Sequence, residues 1–275
     1  MVEQVSNQVR HVLGISGGKD SAALAIYMRD RVPQMEYFFC DTGSELPETY
    51  EYLQRLEVVL GKSIIRLNPE RDFDHWLTVF QGTLPSARMR WCTKYLKIKP
   101  LEAWIGDDTT FSYIAIRADE NREGYISHKP NIIPVYPFKQ DGINKEQVLR
   151  ILKDAGVGLP EYYKWRTRSG CYFCFFQRKY EWIKLSENHP GLFARAVAYE
   201  DKVNYEATAM KGRTYTWSGN ETLRDLLARK TEIIAKHQAA MKREAKIRSN
   251  RPLVEVLAEV LDDEDDSLPC LVCRL

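Results

Sequence analysis

Apolar runs and amphipathic stretches alternate along the first 155 residues. Val12-Leu13-Gly14-Ile15 is a short β-type run. Residues 21–31, SAALAIYMRDR, then take helical spacing with Leu24, Ile26 and Tyr27 on one stripe, and Pro33 stops them. Met35–Cys40 is apolar without alternation, the pattern of a strand buried on both faces. Pro47 opens a second helix that Gly61 ends, and Ser63–Leu67 reads as a third strand. Residues 72–81 and 95–106 are helical in pattern. Phe111–Ile116 is a fourth strand. Asn131–Phe138 is a fifth apolar run in which Pro134 argues for an edge position or a short strand. Asn144–Ala155 is an amphipathic helix with Asn144 and Gly156 at its ends. The β-α-β-α-β order predicts an α/β fold, a parallel sheet with helices on both faces and right-handed crossovers. From Trp182 onward the spacing is helical, with Ser218 or Asn220 as the cap of a long basic helix. The expected organisation is a nucleotide-binding α/β domain over 1–160, a cysteine-containing helical subdomain over 161–261, and an acidic tail over 262–275.

Composition narrows the class. With 275 residues, 44% hydrophobic and 28% charged, the chain has the makeup of a globular protein with one sizeable core and an appendage. No apolar run approaches the ~20 residues that span a bilayer. The first fourteen residues lack a basic region followed by an apolar one, so a cytoplasmic location and no membrane partner are expected. In that compartment cysteines serve metals or redox chemistry more often than disulfides. The formal charge is +2, and five acidic residues sit at 262–266, so the rest of the chain stands at +7. A basic body is permissive of nucleic acid.

The most informative stretch is Ser16-Gly17-Gly18-Lys19-Asp20-Ser21, placed between a strand and a helix start. Glycines let backbone amides approach an anion. A helix start adds unpaired N–H donors and a positive dipole end. Lys19 adds a charge and Ser16 and Ser21 add hydroxyls. The spacing is not the Walker A pattern, which needs four residues between its first Gly and Gly-Lys. Asp41 and Thr42 follow the second strand, at the end where open α/β sheets bind ligands. Alone, Asp41 reads as a turn carboxylate; together with the glycine loop it reads as a nucleotide contact. Arg117 and Arg122 follow the fourth strand, and arginine suits phosphate through its fork of donors.

Cysteines form the second constellation. Cys92 lies among Arg88, Arg90 and Lys94, a thiolate-favouring setting or a buried thiol beside solvated cations. Cys171 and Cys174 form a C-x-x-C that fits one metal or a disulfide. The three together are candidate ligands, and an iron–sulfur cluster, zinc or redox use all remain open. Cys40 sits in a core strand and reads as packing. Cys270 and Cys273, near the C-terminus, read as a redox arm, a further ligand or an inert tail. Arg224, Arg229, Lys230, Lys236, Lys242, Arg243, Lys246, Arg248 and Arg251 make the last helix basic. That face is a solvated surface, a DNA-phosphate surface shared with Arg166, Arg168 and Arg178, or a partner-docking surface.

SGGKDS resembles the pyrophosphate loop of the adenine nucleotide alpha-hydrolase (PP-loop) superfamily, whose members cleave ATP between the α- and β-phosphates. CDTGSELPETYEYLQRL is similar to the second signature of the phosphoadenosine phosphosulfate (PAPS) reductase-like group, and implies an adenosine pocket around Asp41 and Thr42. RWCTKYLKIKP, IRADENR and GCYFC look like the Dnd/Ssp-type DNA phosphorothioation enzymes, over roughly residues 10–200. The Glu-Cys-Gly-Leu-His tail of true sulfonucleotide reductases is absent, which argues against direct PAPS reduction. The resemblance implies an ATP pyrophosphatase that adenylates a DNA backbone phosphate for sulfur incorporation, in a phage-defence setting. ATP and Mg²⁺ are the implied cofactors. Ser16–Ser21, Asp41, Thr42, Arg117 and Arg122 would hold the nucleotide, with Lys19, Asp20 and Arg117 catalytic. Cys92, Cys171 and Cys174 would carry the sulfur or a [4Fe–4S] cluster. A cysteine desulfurase or other persulfide donor, DNA and further phosphorothioation proteins are the implied partners. Two alternatives stand beside it: a PAPS reductase-like or tRNA-thiolating enzyme, and a non-catalytic ATP-sensing subunit that docks on DNA or a partner.

Overall fold

Alternation along the strands decides which side each residue serves. In the computed structural model, β1 (Arg10–Gly14) sends Leu13 to one face and Val12 to the other. The structure describes residues 9–121, 127–208, 215–219 and 221–247. After β1 come α1 (Lys19–Met28), β2 (Glu36–Cys40), α2 (Pro47–Leu60), β3 (Ile64–Leu67) and α3 (Phe73–Val79). A further helical run is built from α4 (Trp91–Thr93), a π-helical turn over Lys94–Ile98, and α5 (Lys99–Ile105). Pro100 gives no N–H to the turn before it, and that turn is the widened one. Then follow β4 (Thr110–Tyr113), β5 (Ile132–Val135), α6 (Pro137–Gln140), α7 (Lys145–Asp154) and a 3₁₀ turn over Glu161–Lys164.

The five strands pair in parallel in the order β3-β2-β1-β4-β5. The chain therefore leaves β1 toward one edge and returns to β4 on its other side. That reversal is a topological switch point, and the crevice lies at the C-terminal ends of β1 and β4. β5 takes an edge with Pro134 opposite Ser112, as a residue without an N–H requires.

Both faces are covered. Leu13, Tyr37 and Phe39 join Ala22, Leu24 and Ala25 of α1, Leu53 and Leu56 of α2, and Val148 and Leu152 of α7 in one core. Val12 and Phe38 meet Leu101 and Ile105 of α5 in the other. α1 is buried nearly all round, and its alanines let it sit close on the sheet. It starts at Lys19, inside the glycine loop, rather than at the expected residue 21. β4 is shorter than its apolar run. Pro137 and Phe138, expected in the fifth run, open α6 instead. Asn144 caps α7 in a capping box with Gln147, and Gly61 and Gly156 hold positive φ beyond their helices.

The described residues fall into two compact units: residues 9–79 with 90–171, and residues 80–89 with 172–247. The second unit is helical: α8 (Lys179–Asn188), α9 (Pro190–Thr208), α10 (Leu223–Ala228) and α11 (Lys230–Ile247). Its centre is aromatic, with Phe173 stacked on Trp217 at 5.3 Å and Trp182 fully buried. Glu200, 1% exposed, accepts the backbone N–H groups of Trp217 and Leu223, both at 2.7 Å. The cap of α10 is Thr222, in a capping box with Asp225, in place of the expected Ser218; Asn220 lies outside the described residues. No helix among the described residues is long and apolar enough to cross a membrane.

Candidate functional site

The loop after β1 folds into a cradle held by hydroxyls. Ser16 N–H donates to Ser21 Oγ at 3.0 Å, Gly18 N–H to Ser16 Oγ at 3.4 Å, and Lys19 N–H to Tyr163 OH at 3.1 Å. These acceptors are neutral and able to rotate, so an anionic oxygen can replace them with stronger, charge-assisted bonds. Gly17 holds φ +73°. A Cβ there would stand 2.6 Å from Thr49 Cγ2 of α2, and one on Gly18 would stand 2.8 Å from Ser169 Oγ. Gly17 is thus required by conformation and by close approach, whereas at Gly18 the near neighbour is a hydroxyl that can rotate. Tyr162 OH donates to the Gly17 carbonyl at 2.6 Å, and Ser169 Oγ donates to Ser16 Oγ at 3.3 Å.

Lys19, Asp20 and Arg117 meet at the switch point. Lys19 Nζ lies 3.0 Å from Asp20 Oδ2, and Arg117 reaches Asp20 Oδ1 at 2.8 Å from beyond β4. Asp119 and Glu120 add carboxylate oxygens at 2.9 and 2.8 Å from Arg117. Burial works against the Arg117 charge, but the three carboxylates more than offset it and hold its pKa above the ordinary value. Arg117 thus stands beside the cradle and is ion-paired there as well. Arg122 lies outside the described residues.

Asp41 and Thr42 follow β2. Asp41 Oδ1 accepts Gly43 N–H at 3.0 Å and Tyr50 OH at 2.8 Å, so it does make the local turn. Its other oxygen lies 3.5 Å from Arg66. Thr42 is buried and donates through Oγ1 to Glu45 Oε1 at 2.8 Å. Glu45 was not singled out by sequence, yet it organises this corner. It accepts Thr42 N–H at 3.2 Å and Ser44 N–H at 3.1 Å, and pairs with Cys171 in an isolated antiparallel bridge. Burial pushes its carboxyl above the usual range, against the pull of Lys97 and of the Thr42 hydrogen bond. The Cys171 thiol faces this pair, with Sγ 3.2 Å from Thr42 Oγ1 and 3.8 Å from Glu45 Oε1.

Among the described residues no three His, Cys, Asp or Glu side chains gather into a group able to hold a metal ion. Cys92 and Cys171 belong to the first unit and Cys174 to the second. The Cys171 thiol meets a hydroxyl and a carboxyl. Cys40 packs as expected, its thiol directed at the Lys97 carbonyl and pushed up to about 12 by burial. Cys270 and Cys273 lie outside the described residues.

Two expectations about basic surfaces change. Arg166 is 1% exposed and so is not part of any outer face. On the last helices, Arg224 pairs with Asp201, Arg229 with Glu221 and Glu232, Lys230 with Glu187, and Lys236 with Glu232. Four of the nine cations counted there are thus paired, and Arg248 and Arg251 lie outside the described residues. The contacts of Tyr162, Tyr163 and Ser169 with the loop are invisible to spacing, since Lys19 and Tyr163 are 144 positions apart.

Residues 10–131 match the phosphoadenosine phosphosulfate reductase domain family, a span that takes in β1 to β4, the cradle and Arg117. Two uncharacterized proteins of Methanocaldococcus jannaschii are similar. MJ0066 is 26% identical over 198 residues, 67% of this chain and 40% of that protein. MJ0973 is 22% identical over 218 residues, 74% of this chain and 50% of that protein. The chain thus spans half or less of the length of these curated relatives. Among solved structures, the PAPS reductase of Candida auris in its phosphate complex gives a TM-score of 0.47 at 12% identity, over 61% of this chain and 84% of that one. The U34-tRNA thiolase NcsA of Methanococcus maripaludis with its [4Fe-4S] cluster gives 0.40 at 14% identity, over 72% and 73%.

Proposed function

We propose that this chain is an ATP pyrophosphatase that activates a backbone phosphate of DNA by adenylation, so that sulfur can replace one of its non-bridging oxygens. The observation that carries the first half is the cradle: a two-glycine loop and a helix start at the switch point, with Lys19 and Arg117 converging on Asp20. Backbone amides fixed before the ligand arrives stabilise the charge that develops on departing pyrophosphate, commonly the largest catalytic contribution. Mg²⁺ would enter with ATP on its phosphate oxygens. An acceptor oxygen attacks the α-phosphorus and pyrophosphate leaves, giving an adenylated acceptor.

Cys171 supports the second half. Its thiol lies at the corner after β2, beside a hydroxyl and a buried carboxyl. A persulfide donor, such as a cysteine desulfurase, would load Cys171 with sulfane sulfur. That terminal sulfur attacks the activated phosphorus and AMP departs, leaving sulfur bridged between phosphorus and Cys171. A second thiol, for which the C-x-x-C spacing offers Cys174, breaks the S–S bond; the phosphorothioate leaves, and a cellular dithiol reduces the resulting disulfide. No step runs through an iron–sulfur cluster. DNA as acceptor rests on the Dnd/Ssp-type resemblance and on the basic composition outside residues 262–266.

The test is pyrophosphate and AMP production from MgATP with duplex DNA, tRNA or PAPS as co-substrate. Lys19→Ala should reduce pyrophosphate release by on the order of a hundredfold or more. Release of ADP and phosphate, or full activity of that variant, would refute the role given to the loop. Turnover stimulated by tRNA and not by DNA would move the acceptor to a tRNA base.

A further inference from the structure

The cations that sequence assigns to the cradle come already neutralised. Lys19 and Arg117 lie 2.8–3.0 Å from Asp20, Asp119 and Glu120, three carboxylates for two cations. One cation near the loop has no such partner. Arg166 is 1% exposed, and no carboxylate among the described residues pairs with it. Its NH1 donates to the Gly170 carbonyl at 3.2 Å and its NH2 to the Cys171 carbonyl at 2.9 Å. Its Nε–H is buried and meets no acceptor among the described residues. A buried guanidinium satisfied only by carbonyl dipoles is a costly arrangement for a protein to keep.

Its position explains why it is kept. Arg166 N–H donates to the Tyr162 carbonyl at 2.8 Å, and Tyr162 OH donates to the Gly17 carbonyl at 2.6 Å. The turn that Arg166 closes carries Ser169, whose Oγ lies 3.3 Å from Ser16 Oγ and would meet any side chain placed on Gly18. The guanidinium therefore holds the carbonyls next to Ser169, in a buried setting where its field is weakly screened.

We propose that Arg166 is the standing positive charge of this site: an unneutralised buried cation whose counter-ion is the polyphosphate seated on Ser16–Ser21. It does not touch the anion. It is a positioning residue that holds Ser169 and Tyr162 against the loop and sets the potential into which the phosphates enter. The inference rests on the reading that the loop seats a polyphosphate. It adds that affinity for highly charged ligands depends on a residue outside the loop.

The test is calorimetric titration of the full chain with inorganic pyrophosphate, and separately with uncharged adenosine. Arg166→Gln keeps a hydrogen-bond donor and removes the charge. It should weaken pyrophosphate binding by about tenfold or more while leaving adenosine binding unchanged. Arg166→Lys keeps the charge and loses the fork. It should bind pyrophosphate within about threefold of the wild type. A purely structural Arg166 would lose adenosine and pyrophosphate binding together, and that result overturns the proposal. So does Arg166→Gln binding pyrophosphate like the wild type. If Arg166→Gln fails to fold, Arg166→Lys decides alone, because a tenfold loss there means the fork and not the charge matters. A wild type that binds neither pyrophosphate nor ATP refutes the loop reading and this inference with it, whereas wild-type binding insensitive to Arg166 refutes only the inference.

Discussion

Gly17→Ala isolates what the glycine loop demands. Gly17 holds φ +73°, where an alanine costs roughly 1–2 kcal/mol. The added Cβ would also stand 2.6 Å from Thr49 Cγ2, an overlap that packed interiors resolve at about 1–3 kcal/mol. The total is about 2–5 kcal/mol, a fall in melting temperature on the order of 10 °C for a chain of this size. The two parts separate in a double-mutant cycle. Thr49→Ser removes Cγ2 and keeps the hydroxyl. It should recover the packing part in the Gly17→Ala background and leave the backbone part in place. The expected coupling is about 1–3 kcal/mol by denaturant unfolding, against the ~0.5 kcal/mol scatter of independent sites. Gly18→Ala is the control. Gly18 has φ −94°, and its neighbour at 2.8 Å is Ser169 Oγ, which can rotate away, so its cost should stay below about 1 kcal/mol. Additive behaviour of Gly17→Ala and Thr49→Ser would refute the claim that α2 presses on the loop at this point.

Glu45 gives a pH signature. Burial raises its folded-state pKa above the ordinary 4.5, so the folded protein holds this proton more tightly than the unfolded chain. Its contribution to stability is full below about 4.5 and is lost as pH rises through the folded value. The difference in unfolding free energy between wild type and Glu45→Gln should therefore shift against the wild type from about pH 4.5 upward; a difference that stays flat from pH 4 to 8 would contradict this. Cys40, with its thiol pushed up to about 12, should resist iodoacetamide at pH 8 in the folded protein, and peptide mass spectrometry showing rapid alkylation there would contradict this. Glu200→Gln leaves one of two buried backbone donors facing an NH₂ group. It should cost about 1–3 kcal/mol, and intrinsic tryptophan fluorescence reports it through Trp217. An unchanged unfolding midpoint would mean those hydrogen bonds are not what holds residues 217–223.

Local information was enough for the sheet. The runs at 12–15, 35–40 and 63–67 are separated by helices that proline and glycine punctuate, and period and punctuation are short-range properties. The glycine loop was readable for the same reason: its chemistry is contained in six adjacent residues. Boundaries failed where tertiary contacts decide them. α1 begins at Lys19 because the loop is itself the helix start. Pro137 opens a helix rather than extending the strand before it. For the long basic helix a charge count leaves a solvated, a DNA-binding and a docking face open, and Asp201, Glu187 and Glu221, which lie opposite Arg224, Lys230 and Arg229, are partners that no periodicity links to them.

Charge is the property that sequence reports least well, because a count assigns every arginine the same value. Arg117 and Arg166 are both buried, and both lie near the loop. One is surrounded by three carboxylates and the other, among the described residues, by carbonyl oxygens. Their contributions to an incoming polyphosphate differ accordingly. Before Arg117 can hold a phosphate it must loosen bonds of 2.8–2.9 Å that it already makes, so part of its attraction is spent on exchange. In the proposed role Arg166 would exchange nothing, since no carboxylate among the described residues pairs with it. Asp20 then takes on a second role. By holding Lys19 and Arg117 apart and oriented, it keeps two cations near the cradle without ligand present, which their mutual repulsion would otherwise oppose. Repulsion between the paired carboxylates and the outer phosphates disfavours a ligand pressed against Asp20. On the proposed reading the same geometry favours one seated on the amides of residues 16–21, where a departing pyrophosphate would meet donors and not acids.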